Sequence, residues 1–381
     1  MPTVISKQSF YKNIDDSIHC GDLHFWEPNC LKAVNSFFFI SNMIKGSSKF
    51  FIPVYIFKLL VNYKKINDID LWKNLLISEC RSTAYGLTMG WLIVASVCSL
   101  RKLTGRLHYY NLFFFPALIS GISLAIESKE NQVLDTLIFF NSFIESAFYN
   151  LDYFNLFKIT KTRETIIFAM ISGYLMYLLE NRSKKLDFLY LWFYTPPRSQ
   201  SKDPESQRDC DHPSSCVNFS LEGLWKYFAL GYFVNAVRSL LPKMGILARK
   251  PLGFFKILFS KANIRFGFFI GGYVGLYRIL TCYLLKTNKI KKKFHGLIAG
   301  LISGLTYAIS PNIQVLIVGI TTLLQIFYEN VSNKLGVKNH FWPRQILFMI
   351  CHGALAHNKL LYPVTCSSYY SNMLNACTNG L

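Results

Sequence analysis

Long apolar runs recur along this chain, and they constrain the fold more than any other feature. Most runs approach the about 20 residues that a helix needs to cross the hydrocarbon of a membrane. They do not alternate apolar and polar residues as barrel strands do, so helices must satisfy the backbone. The sequence therefore predicts an all-α, polytopic membrane protein. The predicted spans are Ser82–Leu100, Leu112–Ile126, Val133–Leu151, Thr165–Leu179, Phe266–Leu285, Phe294–Ile309, Ile313–Tyr328 and Ile346–Leu361.

The composition agrees with a lipid environment. Hydrophobic residues make up 51% of the chain and charged residues only 16%, whereas a soluble domain is about 25% charged. The net charge is +20, and most basic residues lie between apolar runs, where they can reach lipid phosphates. Membrane lipids are the expected partners, and nucleic acid is not. Val34–Leu60 and Leu224–Phe259 are apolar but interrupted by basic residues, which predicts interfacial or re-entrant helices.

Short sequence matches connect the two halves of the chain. The pentapeptide ALISG at Ala117–Gly121 is matched by GLISG at Gly300–Gly304, 183 positions later. The segment IIFAMISG ending at Gly173 resembles ILFMICHG ending at Gly353. Because the order of the matches is kept, the sequence predicts two tandem repeats of about four spans each. Residues 1–199 form the first predicted repeat and residues 200–381 the second.

Small residues recur at every fourth position in four of the predicted spans. At that spacing each set lies on one face of a helix and allows another backbone to approach closely. We therefore predict helix packing along these faces; a groove for a lipid chain is the functional alternative. The sets are Gly86 and Gly90; Ala117, Gly121 and Ala125; Gly267, Gly271 and Gly275; and Gly296, Gly300, Gly304 and Ala308.

One arginine, Arg278, lies near the middle of a predicted span. A central arginine costs about 2.5 to 3.5 kcal/mol on insertion scales, so it needs a partner or water. Asp135 and Glu145, in the third run of the first repeat, are the predicted partners, in a structural pair or in a substrate site. The open alternative is that Arg278 snorkels towards the basic loop that begins at Lys286.

Cysteine pairs precede both predicted interfacial regions, Cys20 and Cys30 in the first half and Cys210 and Cys216 in the second. Histidines lie nearby, but neither group has the close C-x₂₋₄-C spacing of a zinc knuckle, which argues against separate zinc sites. Disulfides or reduced thiols are favoured, and one metal site shared by the four cysteines is the alternative. The sequence leads us to expect no metal and no other cofactor.

Catalytic signatures are not found in the sequence. It lacks a nucleophile elbow, a phosphate-binding glycine loop and an HExxH helix. His352 and His357 do not by themselves indicate a reaction, and Cys98 and Cys282 are assigned to packing because they lie late in equivalent spans. We therefore expect that the protein is not an enzyme.

Several motifs together resemble one known family. They are WEPNC at Trp26–Cys30, CSLRKLTG at Cys98–Gly105, Tyr277-Arg278 with Cys282, and HGLIAGLISG at His295–Gly304. Over roughly residues 19 to 330 the chain resembles the transmembrane protein 135 family, animal proteins of peroxisomal and mitochondrial membranes with an N-terminal cysteine-rich region.

The resemblance implies a role in lipid or fatty-acid homeostasis, without an agreed molecular activity. Our leading hypothesis is that the protein moves a lipid or metabolite between its repeats. The alternative is a membrane scaffold that recruits organelle-division or contact proteins through its basic loops, and a membrane enzyme is the third hypothesis. The family supplies no catalytic residues that could be assigned to this chain.

Overall fold

Every regular element in the described part of the chain is helical, which confirms the predicted all-α class. The computed structural model describes residues 5–13, 24, 26–62, 64, 66–181, 212, 215–240, 252–287, 290–334 and 341–378. Its α-helices are α1 (Lys7–Asn13), α2 (Cys30–Asn35), α3 (Phe37–Val61), α4 (Ile69–Thr104), α5 (Phe114–Ser120), α6 (Lys129–Tyr153), α7 (Lys161–Asn181), α8 (Cys216–Leu240), α9 (Leu252–Leu258), α10 (Lys261–Thr287), α11 (His295–Gly304), α12 (Ile313–Lys334), α13 (Phe341–Leu361) and α14 (Ser368–Cys377).

Short 3₁₀ helices accompany two of these elements. One, Gly121–Ile126, continues α5, and another, Leu305–Ile309, continues α11. A third, Lys292–Phe294, leads directly into α11.

Three described segments are long and apolar enough to cross a membrane: Ile69–Thr104, Phe254–Thr287 and Ile313–Ser332. They contain three of the predicted spans. The other predicted spans are also helical, but they do not combine the required length and apolar character; the apolar stretch Phe114–Ile126 is short. The helical membrane class is thus supported, whereas the count of eight spans stays a prediction.

Polar residues at the helix ends explain where two of the longest helices begin and end. The Asp68 carboxylate accepts a hydrogen bond from the backbone N–H of Asp70 and caps the start of α4. Gly105 ends α4 in the left-handed conformation, with φ at 75°, which glycine adopts without steric strain. Ser128 caps α6 through the N–H of Asn131.

The first compact unit comprises Met1–Lys158 and Ser332–Leu381. In it, α4 packs against α3 and α5, α13 packs against α5 and α6, and α14 packs against α3. Aromatic side chains fill its core: the rings of Phe139 and Phe348 lie 4.5 Å apart, and Tyr85 and Tyr370 are buried beside them.

The second compact unit comprises Ile159–Val331. Here α8 runs against α10, α7 packs against α11, and α10 also contacts α11. Its core is built in a similar way, with the Phe168 and Tyr307 rings stacked at 4.6 Å and with Phe269 and Tyr273 buried next to them.

The compact units do not coincide with the predicted halves of the chain. The helix α7 precedes the predicted boundary at residue 200 but belongs to the second unit, and α13 follows that boundary but belongs to the first. The boundary itself lies outside the described residues. The first unit thus contains α13 and α14 from the second half of the sequence, and the second unit contains α7 from the first half.

Candidate functional site

The glycine faces of α5 and α11 lie where helices touch. A Cβ added at Gly304 would lie 2.6 Å from the Ala169 Cα of α7, and one added at Gly121 would lie 2.9 Å from the Met349 Cα of α13. A Cβ at Gly300 would lie 2.8 Å from the Ser172 carbonyl oxygen. Backbone atoms of neighbouring helices thus lie against these faces.

Two predicted members of these faces lie elsewhere. Ala125 and Ala308 are exposed, because the chain changes from α-helix to 3₁₀ helix at Gly121 and at Leu305. A 3₁₀ helix has 3.0 residues per turn, so a spacing of four residues no longer keeps side chains on one face. Their assignment to the packing stripes is corrected accordingly.

The remaining small residues are found at contacts within single units. An added Cβ would meet the Leu224 carbonyl oxygen from Gly271 and the Leu224 side chain from Gly275. It would meet Phe228 from Gly267, Ser47 from Gly86 and Met43 from Gly90. Gly296 is buried in α11, as is Ala117 in α5.

Arg278 is buried in the second unit, with 6% of its surface exposed. Its Nη1 donates a hydrogen bond of 2.8 Å to the Phe219 carbonyl oxygen, and its guanidinium carbon lies 4.2 Å from the centroid of the Phe219 ring. The Tyr227 ring is 6.0 Å away. Gly223 makes room, since a Cβ there would lie 2.8 Å from the Arg278 Cδ. A carbonyl and aromatic rings therefore surround this cation.

The predicted partners of Arg278 lie in the first unit, each in its own surroundings. Glu145 is buried and accepts a hydrogen bond of 2.8 Å from the Ser367 hydroxyl, which attaches the segment before α14 to α6. Asp135 lies near Lys58 and Glu127.

A buried histidine, His352, connects three helices of the first unit. His352 is fully buried; its Nε2 lies 3.1 Å from the Ser120 hydroxyl and its Nδ1 lies 3.1 Å from the Tyr370 hydroxyl. The Ser120 hydroxyl donates to the Ala117 carbonyl oxygen, so it accepts from Nε2–H of His352, and Tyr370 donates to Nδ1. Both ring nitrogens of His352 thus have hydrogen-bond partners, so a structural role accounts for this buried histidine.

A histidine and two cysteines meet at the end of α4. His24, Cys30 and Cys98 place one imidazole nitrogen and both sulfur atoms within 4.8 Å of one another. The Asn29 side chain caps α2, which begins at Cys30. The Trp26 indole donates a hydrogen bond to the Ala33 carbonyl oxygen. These bonds fix the turn that brings His24 and Cys30 to Cys98.

His24 itself is almost completely enclosed, with 1% of its surface exposed. Its Nδ1 lies 2.6 Å from the Glu27 carbonyl oxygen, so Nδ1 carries the proton. Its Nε2 is buried and has no hydrogen-bond partner among the described residues.

The second unit contains a cluster of the same composition. His212, Cys216 and Cys282 place their ligand atoms within 4.8 Å of one another, and the His212 Nε2 is 3.2 Å from the Cys282 sulfur. Cys216 is the first residue of α8, and Cys282 lies late in α10. The His212 ring stacks on the Phe219 ring with centroids 4.4 Å apart.

The sequence identified these clusters only in part. Cys30 and Cys216 were named as members of cysteine pairs, whereas Cys20 and Cys210 lie outside the described residues. Cys98 and Cys282 were assigned to packing, yet each completes a cluster that could hold a metal ion. Their late positions in equivalent spans were the available signal.

Other cysteines lie outside both clusters. Burial raises the pKa of Cys366 to about 12 and that of Cys377 to about 12, so both remain protonated thiols at neutral pH. Protonated, enclosed thiols are poor nucleophiles and poor metal ligands. They fit a purely structural role.

Comparison with known proteins gives one family match. Residues 18–149 match the model described as the N-terminal cysteine-rich region of Transmembrane protein 135, which confirms the resemblance predicted from the sequence. The matched region contains the whole His24, Cys30 and Cys98 cluster. No solved structure matches the chain.

Proposed function

We propose, from the match of residues 18–149 to the N-terminal cysteine-rich region of Transmembrane protein 135, that this chain supports lipid or fatty-acid homeostasis in peroxisomal or mitochondrial membranes. The proposed activity is movement of a lipid or a lipid-derived metabolite, without a catalytic step. Membrane lipids are its partners in this proposal, and nucleic acid is not.

The distribution of apolar side chains on α10 carries the proposal. Phe268, Ile279 and Tyr283 are 43%, 43% and 63% exposed on this helix, whereas Gly271 and Arg278 are buried. A soluble protein of this size rarely leaves so many large apolar side chains in contact with water. A surface of this kind suits contact with lipid chains.

We further propose that the chain arose as a tandem duplication whose two repeats exchange their last helices. Gly353 of α13 packs on Phe114 and Leu118 in the first unit. In the second unit Gly173 of α7 packs on Leu297 and Leu301, which lie 183 positions after Phe114 and Leu118. An added Cβ would lie 2.9 Å from the Phe114 carbonyl oxygen at Gly353, and 2.9 Å from the Leu297 carbonyl oxygen at Gly173. The same contact at matching positions supports a common ancestor for the repeats.

Reconstitution of the purified protein into liposomes tests the lipid-moving activity. Labelled phospholipid or labelled fatty acid is placed in one leaflet, and its appearance in the other leaflet is followed by quenching from outside. We expect movement faster than in protein-free liposomes and in liposomes with heat-denatured protein. Equal rates in all samples would contradict lipid movement. If purified protein that moves no lipid captures organelle-division proteins, the scaffold function would be favoured instead.

The proposed location is tested separately in cells. A tagged chain is expected to coincide with peroxisomal or mitochondrial markers, and its depletion is expected to change the fatty-acid content of the cell. Residence in another membrane with unchanged lipid content would contradict the proposal.

A further inference from the structure

The geometry of the two histidine–cysteine clusters is close to that of a tetrahedral metal site. Zinc binds sulfur at about 2.3 Å and imidazole nitrogen at about 2.0 to 2.1 Å, so its ligand atoms lie about 3.4 to 3.8 Å from one another. The ligand atoms here lie within 4.8 Å, and the His212 nitrogen is already 3.2 Å from the Cys282 sulfur. Side-chain movements of about 1 Å would complete this geometry.

The hydrogen bonding of His24 is that of a metal-binding histidine. Such residues usually donate the N–H of one ring nitrogen to a carbonyl or carboxylate, which directs the lone pair of the other nitrogen at the ion. His24 makes this bond from Nδ1 to the Glu27 carbonyl oxygen at 2.6 Å. Its buried Nε2 has no other partner in the described part of the chain, and a buried polar atom in that state is destabilising unless a ligand satisfies it.

The same combination occurs in both units, in the same order along the chain. Each cluster takes a histidine from the segment before a helix, a cysteine from the start of a helix, and a cysteine from near the end of a long apolar helix. Packing alone would require neither the histidines nor their approach to both sulfur atoms. The recurrence therefore indicates a shared chemical role.

We propose that each unit binds one zinc ion, through His24, Cys30 and Cys98 in the first unit and through His212, Cys216 and Cys282 in the second. Thiolate and imidazole ligands suit zinc, whereas magnesium and calcium prefer oxygen. Two thiolates balance the charge of the ion, so each site is neutral and suits the border of a membrane. The described residues supply three ligands to each ion, and a further ligand or water takes the fourth position of the tetrahedron.

Each ion would fasten the segment before a helix to the end of an apolar helix. In the first unit the ligands Cys30 and Cys98 are 68 residues apart, so the ion closes a long loop of chain. Closing a long loop restricts the unfolded chain and thereby stabilises the folded one. The proposal thus makes both sites structural and makes the stability of the protein dependent on metal.

Metal analysis of the full chain tests this proposal. The protein is purified in detergent with a tag that contains no histidine, and zinc per chain is measured by mass spectrometry. We expect about two zinc ions in the wild type, about one in Cys98→Ser, about one in Cys282→Ser, and none in the double variant. The control variants Cys80→Ser, at an exposed position, and Cys351→Ser, at a buried one, should retain both ions, because these cysteines lie outside the clusters.

X-ray absorption on the wild-type protein gives a test that does not depend on variants. A zinc environment with two sulfur atoms at about 2.3 Å and nitrogen at about 2.0 to 2.1 Å is expected. Metal-free protein with a disulfide between the cluster cysteines would overturn the proposal, as would a shell of oxygen and nitrogen alone. One zinc per chain that is retained in both Cys98→Ser and Cys282→Ser would also overturn it, and would favour the single site shared by Cys20, Cys30, Cys210 and Cys216.

Discussion

At the scale of single residues, Arg278 is stabilised by groups other than a carboxylate. Its charge is buried in an apolar helix, where an ion pair would be the usual expectation. The Phe219 carbonyl oxygen and ring contact the guanidinium directly, and Glu222 attracts it electrostatically. A guanidinium is planar and weakly hydrated, so it can donate to a carbonyl and lie over an aromatic ring at the same time.

Replacement of Arg278 by lysine therefore tests this arrangement. Lysine keeps the charge but loses the planar group, so we expect Arg278→Lys to lower the free energy of unfolding by about 1 to 3 kcal/mol. The measurement is thermal unfolding in detergent, with Arg81→Lys at an exposed position as the matched control. A snorkelling Arg278 would instead give the same small change in both variants.

The sequence was sufficient to show that Arg278 needs a partner, but not to identify it. Phe219 lies 59 residues earlier in the chain and interacts through its backbone oxygen as well as its ring. Every residue has a backbone carbonyl oxygen, so the sequence cannot show which one accepts the hydrogen bond. The same limit applies to Cys98, because its cluster partners lie far away in sequence.

At the scale of elements, the packing of the short helices α5 and α11 depends on glycines, which let a neighbouring backbone approach closely. Gly121, directly after α5, lies against the backbone of α13, and the glycines of α11 lie against that of α7; the chain continues as 3₁₀ helix after each short helix. Apolar runs allowed the long helices to be predicted. The change to 3₁₀ helix was missed, because it does not alter the apolar composition of the run.

Gly304 and Ala308 belong to one predicted stripe, and the structure separates them. Gly304→Leu would force side-chain atoms against Ala169, and overpacking of this kind costs about 1 to 3 kcal/mol or more. Ala308→Leu places the same side chain at an exposed position and should be tolerated. Folded yield and thermal stability in detergent provide the comparison. Equal losses in both variants would show that the stripe continues to Ala308.

At the scale of the whole molecule, each compact unit is assembled from both halves of the sequence. The first unit requires α13 and α14 from the C-terminal half, and the second requires α7 from the N-terminal half. The matching segments at Gly173 and Gly353 were visible in the sequence. Which short helix each of them joins was not, because the related segments ALISG and GLISG offer similar faces.

Separate expression of the two halves examines this exchange. When residues 1–199 and 200–381 are produced together as two chains, we expect them to purify as one complex, because each half completes a unit of the other. Expressed alone, each half should aggregate, since residues 1–199 leave apolar faces of α5 and α7 uncovered and residues 200–381 leave those of α11 and α13 uncovered. Size-exclusion chromatography in detergent measures both results. Two stable, independent halves would contradict the exchange.

The exchanged helices also set an order for biogenesis. The second unit contains residues up to Val331, whereas the first unit includes α13, which ends at Leu361. During synthesis the earlier unit therefore cannot close until the later one has been made. A premature stop just after Val331 would leave the second unit whole and remove α13 and α14 from the first. Damage at the end of the gene would thus appear in the part of the protein that is translated first.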